Sequence, residues 1–316
     1  MQAPILFTVL PCYNEEAVLH SSIRQMTDLY TSLISGRSIH ENSRLLFVND
    51  GSRDSTWSII EDASSTNPFV CGVKLAKNVG HQNAILAGME TAKEYADVII
   101  TIDADLQDDI SKIPEMLQKY AEGSDIVYGV KNERKADSRF KRWTAMLFYK
   151  LMKLLGVNTV YNHADFRLMS RRAVEVLSRY RERNLFLRGI IPQLGYKTDV
   201  IYEDLRPREA GESKYTLSKM MNLAVDGITS FTIKPVRLIF TLGMVFVLLA
   251  IIMLIYVLCM VFQGKTVAGW ASLMLSMWFI GGCILIGLGI VGEYVGKIYL
   301  EVKDRPRYNV EKEIIQ

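Results

Sequence analysis

Between residues 5 and 129, short apolar runs alternate with segments of helical spacing. Ile5–Leu10 is an apolar run that stops at Pro11, and it reads as a buried strand. Glu15–Ser35 places Val18, Ile23, Met26, Leu29 and Leu33 at helical intervals. Arg44–Val48 is a second strand, and Asp54–Asn67 is a helix with Asp54 or Ser55 as its cap. Val70–Leu75 is a third strand. Gln82–Tyr95 is a helix with Ala84, Leu86, Ala87 and Met89 available for packing. Val98–Ile102 is a fourth strand, Ser124–Gly129 a further one, and Arg167–Leu177 a later helix. Buried strands alternating with helices predict a parallel α/β sheet covered on both faces.

In such a sheet a ligand sits at the carboxyl ends of the strands. The polar clusters fall there: Cys12–Glu16 after the first strand, Asn49–Asp54 after the second, Lys77–Gln82 after the third and Asp103–Asp109 after the fourth. They are expected to converge on one rim.

The pattern changes near the C-terminus. Val236–Phe262 and Val267–Gly292 are apolar stretches, each longer than the roughly 20 residues a membrane-spanning helix needs. The short link Gln263–Thr266 makes them a hairpin. Lys234 and Arg237 flank the first stretch, and Lys297, Lys303, Arg305 and Arg307 follow the second, whereas the turn holds only Lys265. That asymmetry puts both ends in the cytoplasm. Ser138–Val157 and Thr216–Thr232 are amphipathic, and the pattern alone leaves open whether they face a core or a lipid surface. The expected organisation is an α/β domain over residues 1–215, a juxtamembrane helix over 216–235, two membrane helices within 236–292 and a cytoplasmic tail over 293–316.

Composition narrows this picture. A net charge of +3 is too small to argue for nucleic acid. Cys12, Cys71, Cys259 and Cys283 have neither disulfide-framework nor zinc spacing, which fits a reducing compartment. Pro4–Leu10 runs straight into a strand pattern without the basic region and cleavage site of a signal peptide, so the first domain is expected in the cytoplasm.

The candidate chemistry lies on the rim. Asp103-Ala104-Asp105 follows a buried strand, where two carboxylates can present oxygens to one hard cation, Mg²⁺ or Mn²⁺. Acidic loop pairs are also common as solvated surface. Gly51 permits a tight turn, and Asp50 can accept hydrogen bonds from a base or ribose or simply cap the turn. Pro11 and Tyr13 can wall a nucleobase, while Asn14 and Glu15 can start a helix. Asn78 can bond a nucleotide, and His81 receives no role.

Taken in order, Pro11–Glu16, Asn49–Thr56, Asn78–Gly88, Asp103–Asp108 and Ala164–Arg172 resemble glycosyltransferase family 2. With Arg208–Tyr215, the apolar pair and Gly292–Pro306, the chain is similar to the polyprenyl-phosphate glycosyltransferases of that family. The resemblance implies a GT-A (Rossmann-like) fold, a divalent metal and inversion at the sugar. It implies donor contacts from Pro11, Tyr13, Glu15, Asp50, Asn78, Asp103, Ala104, Asp105 and Gln107, with Asp103 and Asp105 on the metal. Asp165 takes the catalytic place beside Asp105, as base or positioning group. Arg188, Arg206, Arg208, Ser213 and Lys214 would face phosphate. Leu205 stands where the family often has a second arginine, and Asn49 where it often has an aspartate. The processive signature Q-x-x-R-W is absent.

The implied partners are a UDP-hexose, a polyprenyl phosphate, the membrane and further copies of the chain, a tetramer being one such arrangement, with Gly281, Gly282, Gly287 and Gly289 allowing close helix contact. Two other readings compete: a transferase acting on a protein or glycan, and a non-catalytic nucleotide-sugar sensor.

Overall fold

The computed structural model describes residues 3–131, 163–183, 185–203, 234–263 and 269–315. The amphipathic segments Ser138–Val157 and Thr216–Thr232, together with Arg206, Arg208, Ser213 and Lys214, lie outside the described residues.

The strands are β1 (Leu6–Cys12), β2 (Arg44–Asn49), β3 (Val70–Leu75), β4 (Val98–Thr101), β5 (Ile126–Lys131), β6 (His163–Ser170), β7 (Thr198–Glu203) and β8 (Val310–Ile314). They form one sheet in the order β7-β5-β6-β4-β1-β2-β3-β8. The helices are α1 (Glu16–Ser35), α2 (Thr56–Thr66), α3 (His81–Ala92), α4 (Ile113–Ala121), α5 (Arg171–Leu177), α6 (Leu187–Ile190), α7 (Lys234–Phe262) and α8 (Trp270–Val302). Contacts group the sheet with α1–α6 in one unit and place α7 and α8 in a second.

The four strands β3-β2-β1-β4 are parallel, as the alternation predicts. Every residue of β1 is buried, which suits a strand covered on both faces. The buried stripe of α1 includes Leu19, Met26 and Tyr30. Burying a side chain such as Leu19 or Met26 contributes roughly 1.5–3 kcal/mol. The Tyr30 hydroxyl stays satisfied, donating to the Arg44 carbonyl at 3.0 Å and meeting the Thr8 hydroxyl at 2.8 Å. On α3, Gly88 lies against the sheet, where a Cβ would stand 2.3 Å from Val9 Cγ1 and 2.7 Å from Val48 Cγ2.

The sheet is mixed, not wholly parallel. Strand β6 runs antiparallel between β4 and β5. This corrects the expected helix over Arg167–Leu177: Arg167 lies in β6, and the helix begins only at Arg171. The physical reason is a period of two, with Phe166 and Leu168 both in the main core cluster. Ser170 then ends the strand and caps α5, its Oγ accepting from the Ala173 amide at 3.3 Å.

The stretch read as a tail also holds structure. Helix α8 continues past Gly292 to Val302, and β8 pairs antiparallel with β3. An exposed edge strand offers unpaired backbone groups, and β8 takes them. Lys74 pairs with Glu311 at 2.8 Å, Lys312 with Glu61, and the Tyr308 hydroxyl with Glu90.

In the second unit α7 and α8 touch side by side. Phe246 meets Phe279 edge to face, with ring centroids 5.7 Å apart, and Ile239 Cγ2 would lie 3.3 Å from a Cβ on Gly287. The pairs 239 with 287 and 246 with 279 make the two helices antiparallel. Leu238, Phe240, Leu248, Ile284, Leu285 and Leu288 are exposed. Among the described residues one stretch, Phe279–Val302, is long and apolar enough to cross a membrane, and Val236–Phe246 is a shorter apolar run.

Gly88→Ala should destabilise the α/β unit by about 1–3 kcal/mol, because α3 must lift off β1 and β2. A chemical-denaturation midpoint identical to that of the wild type would disprove this packing argument.

Candidate active site

The carboxyl ends of β1, β2 and β3 carry loops that lock together through polar contacts. Asn14 adopts φ 54°, and its amide donates to Ser52 Oγ at 3.0 Å. The Arg53 amide donates back to Asn14 Oδ1 at 2.9 Å. The Glu15 amide bonds Thr56 Oγ1 at 2.9 Å, and the Ser55 amide bonds Glu16 Oε2 at 2.9 Å. Pro11 is buried, Glu15 is half-buried and Tyr13 is exposed beside this clasp.

Asp50 joins the second loop to the third. Its two carboxylate oxygens accept from the Val79 amide at 2.7 Å and the Gly80 amide at 3.0 Å. The exposed Asn78 donates its Nδ2 to the Asp50 carbonyl at 3.2 Å. Gly51 sits at φ 64°, and a Cβ there would come within 2.5 Å of the Asn78 nitrogen. Glycine is required on both counts. Burial of Asp50 outweighs its amide contacts and raises its pKa. Asp50 is thus a loop brace as well as a candidate nucleoside contact.

The fourth loop follows β4. The Leu106 amide returns to the Asp103 carbonyl at 3.1 Å, with Leu106 at φ 47°. Ala104 turns inward, and its carbonyl accepts from Ser22 Oγ. The Gln107 side-chain amide donates to Asp105 Oδ2. Asp103 stands half-exposed.

Strand β6 brings Asp165 beside this loop because it pairs with β4, and Thr101 Oγ1 donates to the Asp165 carbonyl. The Asp165 carboxylate accepts from Arg167 and from Arg188 Nη2, the latter at 3.2 Å. His81 Nε2 lies 3.2 Å from Asp165 Oδ2 and 3.5 Å from Asp103 Oδ1, so it bridges two carboxylates. Desolvation would raise Asp165, but Arg188, His81 and Arg167 outweigh it and hold the carboxyl well below the usual range. Desolvation also disfavours the His81 cation, yet the bond to Asp165 and the Asp103 charge raise its pKa. Asp103 goes the other way. Desolvation, with Asp165, Asp108 and Asp105 adding to it against the pull of His81, pushes it up to about 6.

The structure brings Asp103, Asp165 and Arg188 together and adds His81 and Arg167 to them. Arg167 stood hidden inside a presumed helix. His81 lay in the polar cluster after β3, but its two carboxylate partners come from the loop after β4 and from β6. Among the described residues no group of three or more His, Cys, Asp or Glu side chains could hold a metal. Asp103 and Asp105 still fit a hard divalent ion, since Mg²⁺ is commonly held by one or two carboxylates plus substrate phosphates. The neighbouring carboxylate charges that add to the rise of Asp103 are what a cation would offset.

A mixed α/β sheet with an acidic strand-end loop, beside a carboxylate ringed by cations, is a GT-A-like architecture. The family model described as Glycosyl transferase family 2 matches residues 8–178. The uncharacterized glycosyltransferase YkoT of Bacillus subtilis is 50% identical over 308 residues, covering 98% of this chain and 91% of that protein. The bactoprenol glucosyl transferase of Shigella phage SfII is 38% identical over 312 residues, with 96% of each covered. Among solved structures, glucosyl-3-phosphoglycerate synthase from Mycobacterium tuberculosis, with Mn²⁺, UDP and phosphoglyceric acid, aligns with a TM-score of 0.47 at 17% identity, covering 72% of this chain and 76% of that one. The chain belongs to glycosyltransferase family 2. It is an enzyme of the hexosyltransferase class.

Arg167 has a fully buried side chain, so Arg167→Met should cost about 3 kcal/mol by removing one partner of a buried ion pair. Because the folded-state pKa of Asp165 is depressed, its stabilisation is present above the unfolded carboxylate value and is lost as pH falls. The wild type should therefore lose stability below about pH 4, and the variant should lose less over the same range. Parallel acid limbs in the two stability–pH curves would refute the assignment.

Proposed function

We propose that this enzyme transfers one hexose, glucose in the first instance, from a UDP-sugar to a polyprenyl phosphate such as undecaprenyl phosphate. The product would be a lipid-linked sugar for envelope glycan modification. The observation that carries the reading is the pairing of acidic Asp103 with cation-ringed Asp165, joined by His81. The bactoprenol glucosyl transferase names of relatives matched over nearly the whole chain support the lipid acceptor.

An acceptor phosphate oxygen forms a bond to the anomeric carbon from the face opposite the leaving group. The bond from that carbon to the diphosphate breaks, and UDP departs with inverted stereochemistry at the sugar. Asp103 and Asp105 would hold a divalent ion, which would supply charge stabilisation for the diphosphate leaving group. Asp165 is held too acidic to be an effective base near neutral pH. The acceptor, with a second pKa near 6, needs little deprotonation. Asp165 therefore acts by orienting Arg188 and His81, not by taking a proton. Arg188 with Arg206, Arg208, Ser213 and Lys214 would neutralise the acceptor phosphate. Pro11, Tyr13, Glu15, Asp50, Asn78, Ala104 and Gln107 would line the donor side.

The membrane topology belongs to the same proposal. Strands β7 and β8 lie before and after α7 and α8 in sequence, yet both belong to one sheet. A chain that leaves that sheet for the bilayer and returns to it crosses an even number of times. Two spans, α7 and α8, satisfy this, with the catalytic unit on the cytoplasmic side by the placement of lysine and arginine. Assembly of several copies through these helices is part of the reading, and the mass of the detergent-solubilised enzyme measures it.

Membranes carrying the enzyme, given undecaprenyl phosphate and labelled UDP-glucose, UDP-N-acetylglucosamine or GDP-mannose, should yield organic-phase label from UDP-glucose. Absence of lipid-soluble label with every donor, with Mg²⁺ and Mn²⁺ supplied, would end the proposal. Asp105→Asn should reduce transfer by about a hundredfold or more while membrane insertion is unchanged. Near-normal transfer in that variant would remove Asp105 from the mechanism.

A further inference from the structure

Glu203 ends β7 and Lys131 ends β5, and the two stand in register. Glu203 is 1% exposed, as is Asp108 in the loop after β4. Glu203 Oε2 accepts from the Asp109 amide at 2.9 Å. Lys131 Nζ lies 3.1 Å from Asp108 Oδ1. Glu203 Oε1 is buried without a hydrogen bond, facing Gly129, where a Cβ would stand 3.3 Å from it and 2.7 Å from Phe166 Cδ1. The absence of a side chain at position 129 makes room for the carboxyl group. Phe166 directly follows Asp165. The far end of the Asp103–Asp109 loop is thus tied to a strand end packed behind the Asp165 site. Three residues beyond Glu203 the cationic stretch Arg206–Lys214 begins.

A surface carboxylate would not hold a loop this way. Here two buried carboxylates face one ammonium, with Asp108 and Asp109 from the loop and Lys131 from β5 as the charged neighbours. Desolvation and the Asp108 charge push Glu203 up to about 7. A neutral side chain of the same shape therefore suits the position, provided that it still accepts from Asp109.

We propose that Glu203 is a positioning residue for sugar transfer: by accepting the Asp109 amide it fixes the loop that presents Asp103 and Asp105, from the strand end that leads into the cationic stretch. This rests on the reading of that loop as the donor site. Nothing in the motif pattern marks Glu203, because its role depends on the neighbour relation of β7 and β5.

The test uses the full-length enzyme in detergent, titrated calorimetrically with UDP in the presence of MnCl₂. Glu203→Asp withdraws the acceptor by one methylene and should weaken UDP binding about tenfold, the equivalent of one lost hydrogen bond. Glu203→Gln keeps an acceptor for Asp109 and should stay within about twofold of the wild type. Both variants should retain the wild-type unfolding midpoint to within a few degrees, which separates loop placement from a general loss of fold. Wild-type affinity in Glu203→Asp, or an equal loss in Glu203→Gln, would overturn the inference alone. A wild-type enzyme that binds no UDP would overturn the donor-site reading and this inference together.

Discussion

The charge balance around Asp165 is the constraint on which the site depends. A carboxylate with only 12% of its side chain exposed is unfavourable unless it is paired. Three cationic or hydrogen-bonding groups meet that need, each from a different part of the fold: Arg167 from its own strand, Arg188 from α6 and His81 from the start of α3. Removing any one of them leaves buried charge behind. The arrangement therefore fixes the relative positions of β6, α6 and α3, and with them the spacing between Asp165 and Asp103.

That spacing is produced by one topological step. Strand β6 inserts antiparallel between β4 and β5, and its register places Arg167 opposite Thr101, the last residue of β4. A parallel crossover there would have put the β6 carboxylate at a different level of the sheet. The loops after β1, β2 and β3 reach the same rim by a different device, in which backbone amides are answered by Asp50, Ser52, Thr56 and Glu16 from neighbouring loops. Each such bond has a small net worth of roughly 0.5–1.5 kcal/mol, but an unmet buried amide costs more. The loops of the rim are thereby cross-linked to one another through side chains of their neighbours.

The first four strands and the loops after them were legible in the chain because buried parallel strands are nearly continuous apolar runs. Asp103, Asp105 and Asp50 followed from their position after those runs. Strand β6 was not legible, since Asp165 and Arg167 place two charges within it and the Ser170 cap lies beyond. The ion pairs that make these charges tolerable are long-range and leave no local signal. Strand β8 was hidden for a related reason: Val310–Ile314 carries Glu311, Lys312 and Glu313, so its pairing rests on the exposed edge of β3 and not on its own hydrophobicity. His81 could be seen as a polar rim residue, but not as a bridge between a loop and a strand that are 62 positions apart in sequence, at Asp103 and Asp165.

The attachment of β8 has to be explained without strong side-chain contacts. Its exposed pairs, Lys74 with Glu311 and Lys312 with Glu61, are each worth roughly 0–1 kcal/mol. The backbone ladder to Gly72–Leu75 supplies regular hydrogen bonds, yet a free peptide of this composition would lose more in ordering than it gained. The difference is the tether. Residues 305–309 ahead of β8 are bound to the same unit: Arg307 Nη2 donates to the Tyr180 carbonyl at 2.7 Å, Arg183 Nη1 donates to the Pro306 carbonyl at 3.1 Å, and the Ala76 amide donates to the Asn309 carbonyl at 2.9 Å. Each contact shortens the stretch still to be ordered, and loop-closure entropy falls with that length. The pairing of β8 with the β3 edge is therefore favoured by the contacts that hold residues 305–309 beside that edge.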